Sequence, residues 1–196
     1  MSTLPAREEL TVPDGIPSGK RQDIFYFAGM VLQVFGAAVL AVLYPMGSPF
    51  YSAGIMLFEA GALLSAVFLL IWISWLKKLL LGSILIGIAL QATGLFFAQP
   101  QHAAAVILGG ICLVCMGTAG MAGKEAYCYG WREGWILMWL YPSTMLILAV
   151  GNEHMLVNSL VFSSHFLLVL LLTGKKLRQR RLSAGSKPQF APSVQT

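Results

Sequence analysis

Residues 79–98 read LLLGSILIGIALQATGLFFA, twenty consecutive positions without a charge. At 1.5 Å per helical residue such a stretch is about 30 Å long, the thickness of a bilayer's hydrocarbon core. A spanning strand needs only about 10 residues and alternates apolar with polar side chains, a pattern absent here. The segment therefore predicts a membrane helix. The same texture recurs over residues 24–44, 50–76, 103–123, 135–150 and 155–173, and 20 of the chain's 21 charged residues fall outside these six stretches, Glu59 being the exception. The whole 196-residue composition agrees, with 57% hydrophobic residues, 11% charged and a mean hydropathy of +0.74. An average soluble domain carries roughly 25% charged residues, so no water-facing surface can be assembled from this inventory. The expectation is an all-α polytopic membrane protein with three parts: a polar tail over residues 1–23, a six-helix transmembrane bundle over 24–173, and a basic, disordered tail over 174–196.

Orientation follows from lysine and arginine, which resist translocation. All 13 fall in connections on one side of a six-span chain: Arg7, Lys20 and Arg21 before the first span, Lys77 and Lys78 in a tight turn after the second, Lys124 and Arg132 after the fourth, and six from Lys175 to Lys187. The opposite connections, residues 45–49, 99–102 and 151–154, contain none. Both termini are expected to be cytoplasmic, or stromal in a plastid. Residues 1–23 hold four acidic residues and two glycines, unlike a cleaved signal, so the first span is expected to be retained. The run KKLRQRR at 175–181 reads as a juxtamembrane anchor that meets membrane lipids.

Lipid supplies no hydrophobic force between helices, so close packing needs small residues. The fourth span, with Gly109, Gly110, Gly117, Gly120 and Gly123, is expected at the crowded centre, while Gly61 with Ser65 and Ser83 with Gly87 mark shorter faces. Pro142 removes a backbone hydrogen bond inside the fifth span, and Ser143 and Thr144 stand ready to satisfy the freed carbonyl.

Glu59 is the first candidate for chemistry, because a carboxylate in hydrocarbon is costly and is kept where it faces the bundle interior with a partner. Counting residues from the outer span ends places Glu59, His165, Gln33 and Gln91 all roughly 10–17 Å deep on the side away from the termini. Asn158 extends that polar stripe outward along the sixth span. Together they predict an intramembrane polar pocket opening on the non-cytoplasmic side, with His165 as the partner of Glu59. The inner halves of the spans read as apolar, which favours a one-sided site over a conduction path. Cys112 and Cys115 form a Cys-x-x-Cys pair, but a redox relay of the vitamin K epoxide reductase type needs a second pair, and the third cysteine, Cys128, lies on the opposite side. Small apolar filler is the reading taken. His102, Glu153 and His154 share the outer connections, yet solvated loop residues describe them better than a metal site, and no metal is expected. A rhomboid-type protease also has six spans, but Gly117-Thr-Ala-Gly120 has alanine where its motif requires the nucleophilic serine.

Lys124, Glu125, Tyr127, Cys128, Tyr129, Trp131, Arg132 and Glu133 make up an ordered interfacial hairpin, with local ion pairs and with rings suited to the headgroup zone. The run Lys124-Glu125-Ala126-Tyr127-Cys128-Tyr129, closing a glycine-rich span and followed by a span with a central proline, resembles a family of cyanobacterial and plastid integral membrane proteins. That family is known only as a domain of unknown function, the DUF2301 type. The resemblance covers most of the spanning region and implies a bacterial cytoplasmic or thylakoid membrane, but no reaction. Relatives carry a Gly-His pair after the fifth span, where this chain has Gly151-Asn152-Glu153-His154.

The expected function is non-enzymatic binding of a hydrophobic small molecule (a lipid, quinone or pigment) at Glu59 and His165, or of a membrane protein complex at the 124–133 hairpin. No nucleic-acid partner is expected. Two alternatives remain: a membrane oxidoreductase or lipid-modifying enzyme using Glu59 and His165 as acid–base partners, and a proton-coupled small-solute carrier in which Glu59 titrates.

Overall fold

The computed structural model describes residues 20–69, 74–149 and 155–185. Within them the chain is all-helical: α1 (Lys20–Leu43), α2 (Tyr51–Val67), α3 (Ser74–Phe96), α4 (Pro100–Tyr129), α5 (Arg132–Ala149) and α6 (Met155–Gly185). Four of these, α1, α3, α4 and α6, are long and apolar enough to cross a membrane, while α2, at 17 residues, is shorter.

Neighbours in the chain are neighbours in space. Each helix packs antiparallel to the next, and α6 returns to α1, closing a six-membered ring. The tightest seams are α1 on α2 and α3 on α4, and both depend on glycine. A Cβ built on Gly87 would lie 2.6 Å from the Gly110 carbonyl oxygen, and one on Gly110 would lie 2.5 Å from that of Gly87. Two backbones can meet this closely only where neither carries a side chain. Gly61 does the same for α1, against the backbone of Gln33. The glycine-rich α4 is a member of the ring and not its centre, because it packs along α3 and α5 but only lightly on α2.

The antiparallel order gathers the first turns of α1, α3 and α5 and the last turns of α2, α4 and α6 at one end of the ring, which is where the basic residues of the described helices lie. This is the basic end, and the other is the distal end. Besides α1 starting at Lys20, inside the expected tail, and α4 at Pro100, which takes His102 into a helix, three boundaries differ from the sequence expectation. Helix α2 stops at Val67, so Lys77 and Lys78 sit inside α3 and not in a turn. The chain leaves α2 where Phe68 stacks on Phe25 with ring centroids 4.8 Å apart and Leu69 is 1% exposed. Hydropathy along an unbroken apolar run does not report such tertiary anchoring. Helix α4 continues six residues beyond 123, so the Lys124–Tyr129 motif is helical and the hairpin shrinks to Gly130 and Trp131, with Gly130 at φ +67° terminating the helix. Helix α6 runs to Gly185, so residues 174–185, expected to be disordered, are helical; 186–196 and the tail over 1–19 lie outside the described residues. Ser143 and Thr144 donate to the Trp139 and Leu140 carbonyls, one and two residues beyond the Met138 carbonyl that Pro142 frees.

Candidate functional site: a distal cavity and a buried ion-pair cluster

In the distal half of the ring a cavity of about 390 Å³ lies among α1, α2, α4, α5 and α6. Its size falls in the range of small-molecule sites, roughly 300–1,000 Å³. Aliphatic side chains such as Leu40, Ile55, Ile107 and Ile111 make much of its wall, and Glu59, Thr144 and His165 supply polar atoms. Aromatic rings form two groups. Towards the distal end Tyr44 packs on Tyr51 (centroids 5.5 Å apart) and Phe162 (4.5 Å). Deeper, Tyr141 packs on Phe58 (6.1 Å) and on the His165 ring (4.9 Å).

Glu59 and His165, paired in the sequence reading, thus share one cavity. They are not bonded partners: Glu59 Oε1 accepts a hydrogen bond from Gln91 Nε2, reaching across from α3, and no ion pair involves Glu59 among the described residues. Residue counting places side chains by depth alone, whereas which helices adjoin decides who meets whom. His165 Nδ1 lies 3.0 Å from the Val161 carbonyl, which can only accept, so the neutral ring carries its proton on Nδ1 and leaves Nε2 as an acceptor. The Nε2 atom is 3.5 Å from Thr144 Oγ1, whose proton goes to Leu140 at 2.8 Å. His165 can therefore accept a hydrogen bond from a bound molecule, or ligate a metal in a pigment, without rearranging its other nitrogen.

Gln33 lies elsewhere. Its Nε2 donates to Ser65 Oγ at 3.1 Å, and Ser65 Oγ in turn donates to the Tyr26 carbonyl at 3.3 Å. Gln33, Ser65, Thr118, Tyr26, Tyr141 and Glu125 border a second cavity of about 30 Å³, nearer the basic end. It has room for about two or three waters, at roughly 10–15 Å³ each, and polar partners to hold them. The inner half is therefore less apolar than its sequence reads. In the sequence Ser65 passes for a packing residue and Glu125 for part of an interfacial hairpin. Asn158 does not line the distal cavity.

Glu125 is the clearest departure from a surface hairpin. Its side chain is 1% exposed and receives three donors: the Tyr26 hydroxyl at 2.8 Å and Lys124 Nζ at 3.0 Å on Oε1, and Lys176 Nζ at 3.0 Å on Oε2. Lys176 also donates to the Tyr129 hydroxyl at 3.0 Å and lies 4.3 Å from that ring's centroid, and Tyr129 stacks on Trp131. One carboxylate thereby ties α1, α4 and α6 together. The expected local pair Lys124–Glu125 is present, but Glu133 pairs with Lys175 of α6, at 2.7 and 2.6 Å, and not with a hairpin residue. Those two hydrogen bonds hold the Glu133 carboxyl below the usual carboxylate range. Of the eight hairpin residues, Tyr127 (80% exposed), Cys128, Tyr129 (38%) and Arg132 are exposed.

Cys112, Cys115 and Cys128 are free thiols, and Cys115 is buried against the distal cavity. No group of three His, Cys, Asp or Glu side chains suited to a metal exists among the described residues, and Glu153 and His154 lie outside them. The residues overlooked in the sequence are the aromatic walls, Tyr44, Tyr51, Tyr141 and Phe162, together with Tyr26. For Tyr26, Tyr44 and Tyr51 the one signal was tyrosine near a span end, which membrane proteins place there for interfacial reasons as well, and Tyr141 and Phe162 lie mid-span with no such signal. Comparison with protein-family models, curated proteins and solved structures finds no match to this chain.

Proposed function

We propose that this chain is a six-span integral membrane protein, its basic end cytoplasmic or stromal, whose distal cavity binds a hydrophobic small molecule without chemical turnover. The observation that carries this reading is the cavity itself: about 390 Å³, apolar and aromatic over most of its wall, with polar atoms confined to Glu59, Thr144, His165 and the tyrosines. Apolar walls with a few convergent polar groups are the usual make-up of a ligand site. Concentration of the basic residues at one end supports the orientation. The resemblance of the Lys124–Tyr129 motif supports a bacterial cytoplasmic or thylakoid membrane, where quinones, pigments and lipids are the available ligands. A partner complex, if one docks at the basic end, meets Tyr127, Cys128 and Arg132, since Glu125 is turned inward.

The test is mass spectrometry and absorption spectroscopy of the organic extract from gently solubilised protein. Wild type is compared with Ala104→Trp, which fills the cavity, and with His165→Leu. A specific molecule present at near one per chain in the wild type and lost in Ala104→Trp is the expected result. A well-folded wild type with no retained molecule beyond bulk lipid would defeat the reading.

One observation favours a second reading, the proton-coupled carrier. Tyr141 borders both cavities, so its phenol ring stands between the Glu59 pocket and the small cavity that Glu125 borders. Proteoliposomes carrying a pH-sensitive dye would show proton flux that Tyr141→Phe and Glu59→Gln abolish.

A further inference from the structure

From the make-up of the distal cavity we infer that its ligand is an organic cation: a lipophilic molecule bearing a quaternary ammonium or protonated amine. The inference rests on the reading of this cavity as a ligand site and narrows the class of ligand.

Two observations carry it. First, among the described residues Glu59 is the only aspartate, glutamate, lysine or arginine on the cavity wall, and the hydrogen bond it accepts comes from a neutral donor, the Gln91 amide. The other buried carboxylate of the bundle, Glu125, is compensated by two ammonium groups at 3.0 Å. Every lysine and arginine of the described helices lies towards the basic end, so the distal half holds a carboxyl group and no matching cation of its own. A ligand that brings the positive charge with it completes the pair, and in surroundings of low dielectric that pairing is far stronger than in water.

Second, five aromatic rings line the same cavity: Tyr44, Tyr51, Phe58, Tyr141 and Phe162. The face of an aromatic ring is negative, and several rings around a void attract an alkylammonium group without hydrogen-bonding to it. An anion would meet Glu59 and the ring faces as repulsion. A neutral hydrocarbon would gain the apolar wall and leave Glu59 uncompensated. Neither makes use of the whole lining. His165 adds an acceptor at Nε2, suited to a donor elsewhere on the ligand.

The probe pair that isolates charge from shape is benzyltrimethylammonium and neopentylbenzene, in which a carbon replaces the nitrogen. Equilibrium binding of each to the full chain in nanodiscs, corrected for empty nanodiscs, is compared for wild type and Glu59→Gln. Wild type is expected to hold the cation at least tenfold more tightly than the isostere, roughly the worth of one partly desolvated charge contact. Glu59→Gln is expected to remove that preference and leave the isostere's affinity unchanged. Equal binding of both probes in wild type would overturn the cation inference while leaving the cavity a hydrophobic ligand site. Binding of neither would overturn both. The wild-type comparison needs no variant, so a Glu59→Gln chain that fails to assemble does not shelter the inference.

Discussion

Replacing Glu125 by Gln keeps the side chain's shape and removes its charge, leaving the Lys124 and Lys176 ammonium groups facing each other across a neutral amide. Each ammonium lies 3.0 Å from a carboxylate oxygen, which at an effective dielectric of about 20 is worth roughly 5 kcal/mol of gross attraction per pair. The cost of burying the three charges cancels much of that sum. What the substitution exposes is the uncompensated remainder, about 3–5 kcal/mol for a buried pair broken on one side. The lysine side chains are only 16% and 20% exposed, so water can reclaim little of it. For a chain of this size each kcal/mol moves the melting temperature by about 2–4 °C, giving an expected drop of about 6–20 °C. The assay is tryptophan fluorescence on heating in a mild detergent, with Glu133→Gln as the internal control. Glu133 pairs with a lysine that is 42% exposed, and such rim pairs contribute about 0–1 kcal/mol. Lys176→Met should fall between the two, because Lys124 still compensates Glu125. A Glu125→Gln drop no larger than that of Glu133→Gln would refute the assignment of Glu125 as the charge that joins α1, α4 and α6.

A Cβ at Gly87 must move from 2.6 Å to the 3.4 Å of ordinary contact with the Gly110 carbonyl, parting α3 from α4 by about 0.8 Å; Gly87→Ala should cost about 1–3 kcal/mol. Gly82→Ala, with nothing within 4 Å, should be neutral or stabilising, and equal melting temperatures for the two would contradict the packing. Cys128 is exposed at the basic end, so in a Cys112→Ser, Cys115→Ser chain an impermeant maleimide should label inside-out vesicles and spare intact cells; labelling of intact cells would reverse the proposed orientation. Lys175 depresses the Glu133 carboxyl, so the stability it contributes is complete above the unfolded value of 4.5 and disappears as pH falls through the lower native value. The small melting difference between wild type and Glu133→Gln should accordingly be present at pH 7 and shrink as pH falls below 4.5, and a difference that grows on acidification would show that the pairing is not what lowers it.

Hydropathy and charge alone determined that the chain is helical, how many apolar segments it has, and which segment ends share a side. Each of these is a property of a residue and its near neighbours, written in a period or a count. Glu59 and His165, which line one cavity, were legible as a candidate site for the same reason: polar atoms in hydrocarbon stand out without any knowledge of what they touch. Gln33 and Gln91 show where that reasoning ends. They sit at similar depths in the sequence count, yet one bonds Ser65 within the α1–α2 seam and the other reaches Glu59 from α3. Only the order of helices around the ring distinguishes them. The same holds for Glu125, which as sequence is one charge of an interfacial hairpin and in the fold is the buried meeting point of Tyr26, Lys124 and Lys176. Helix α6 continues past Thr173 into a stretch whose charges read as a disordered tail, and there its lysines meet carboxylates on α4 and α5, roughly 40 to 50 residues away along the chain. The aromatic lining of the distal cavity likewise exists only once the end of α1 and helices α2, α5 and α6 bring their rings to one void. Local composition records the solvent that each segment prefers, but partners far apart in the chain are chosen by packing, and packing is decided by the ring as a whole.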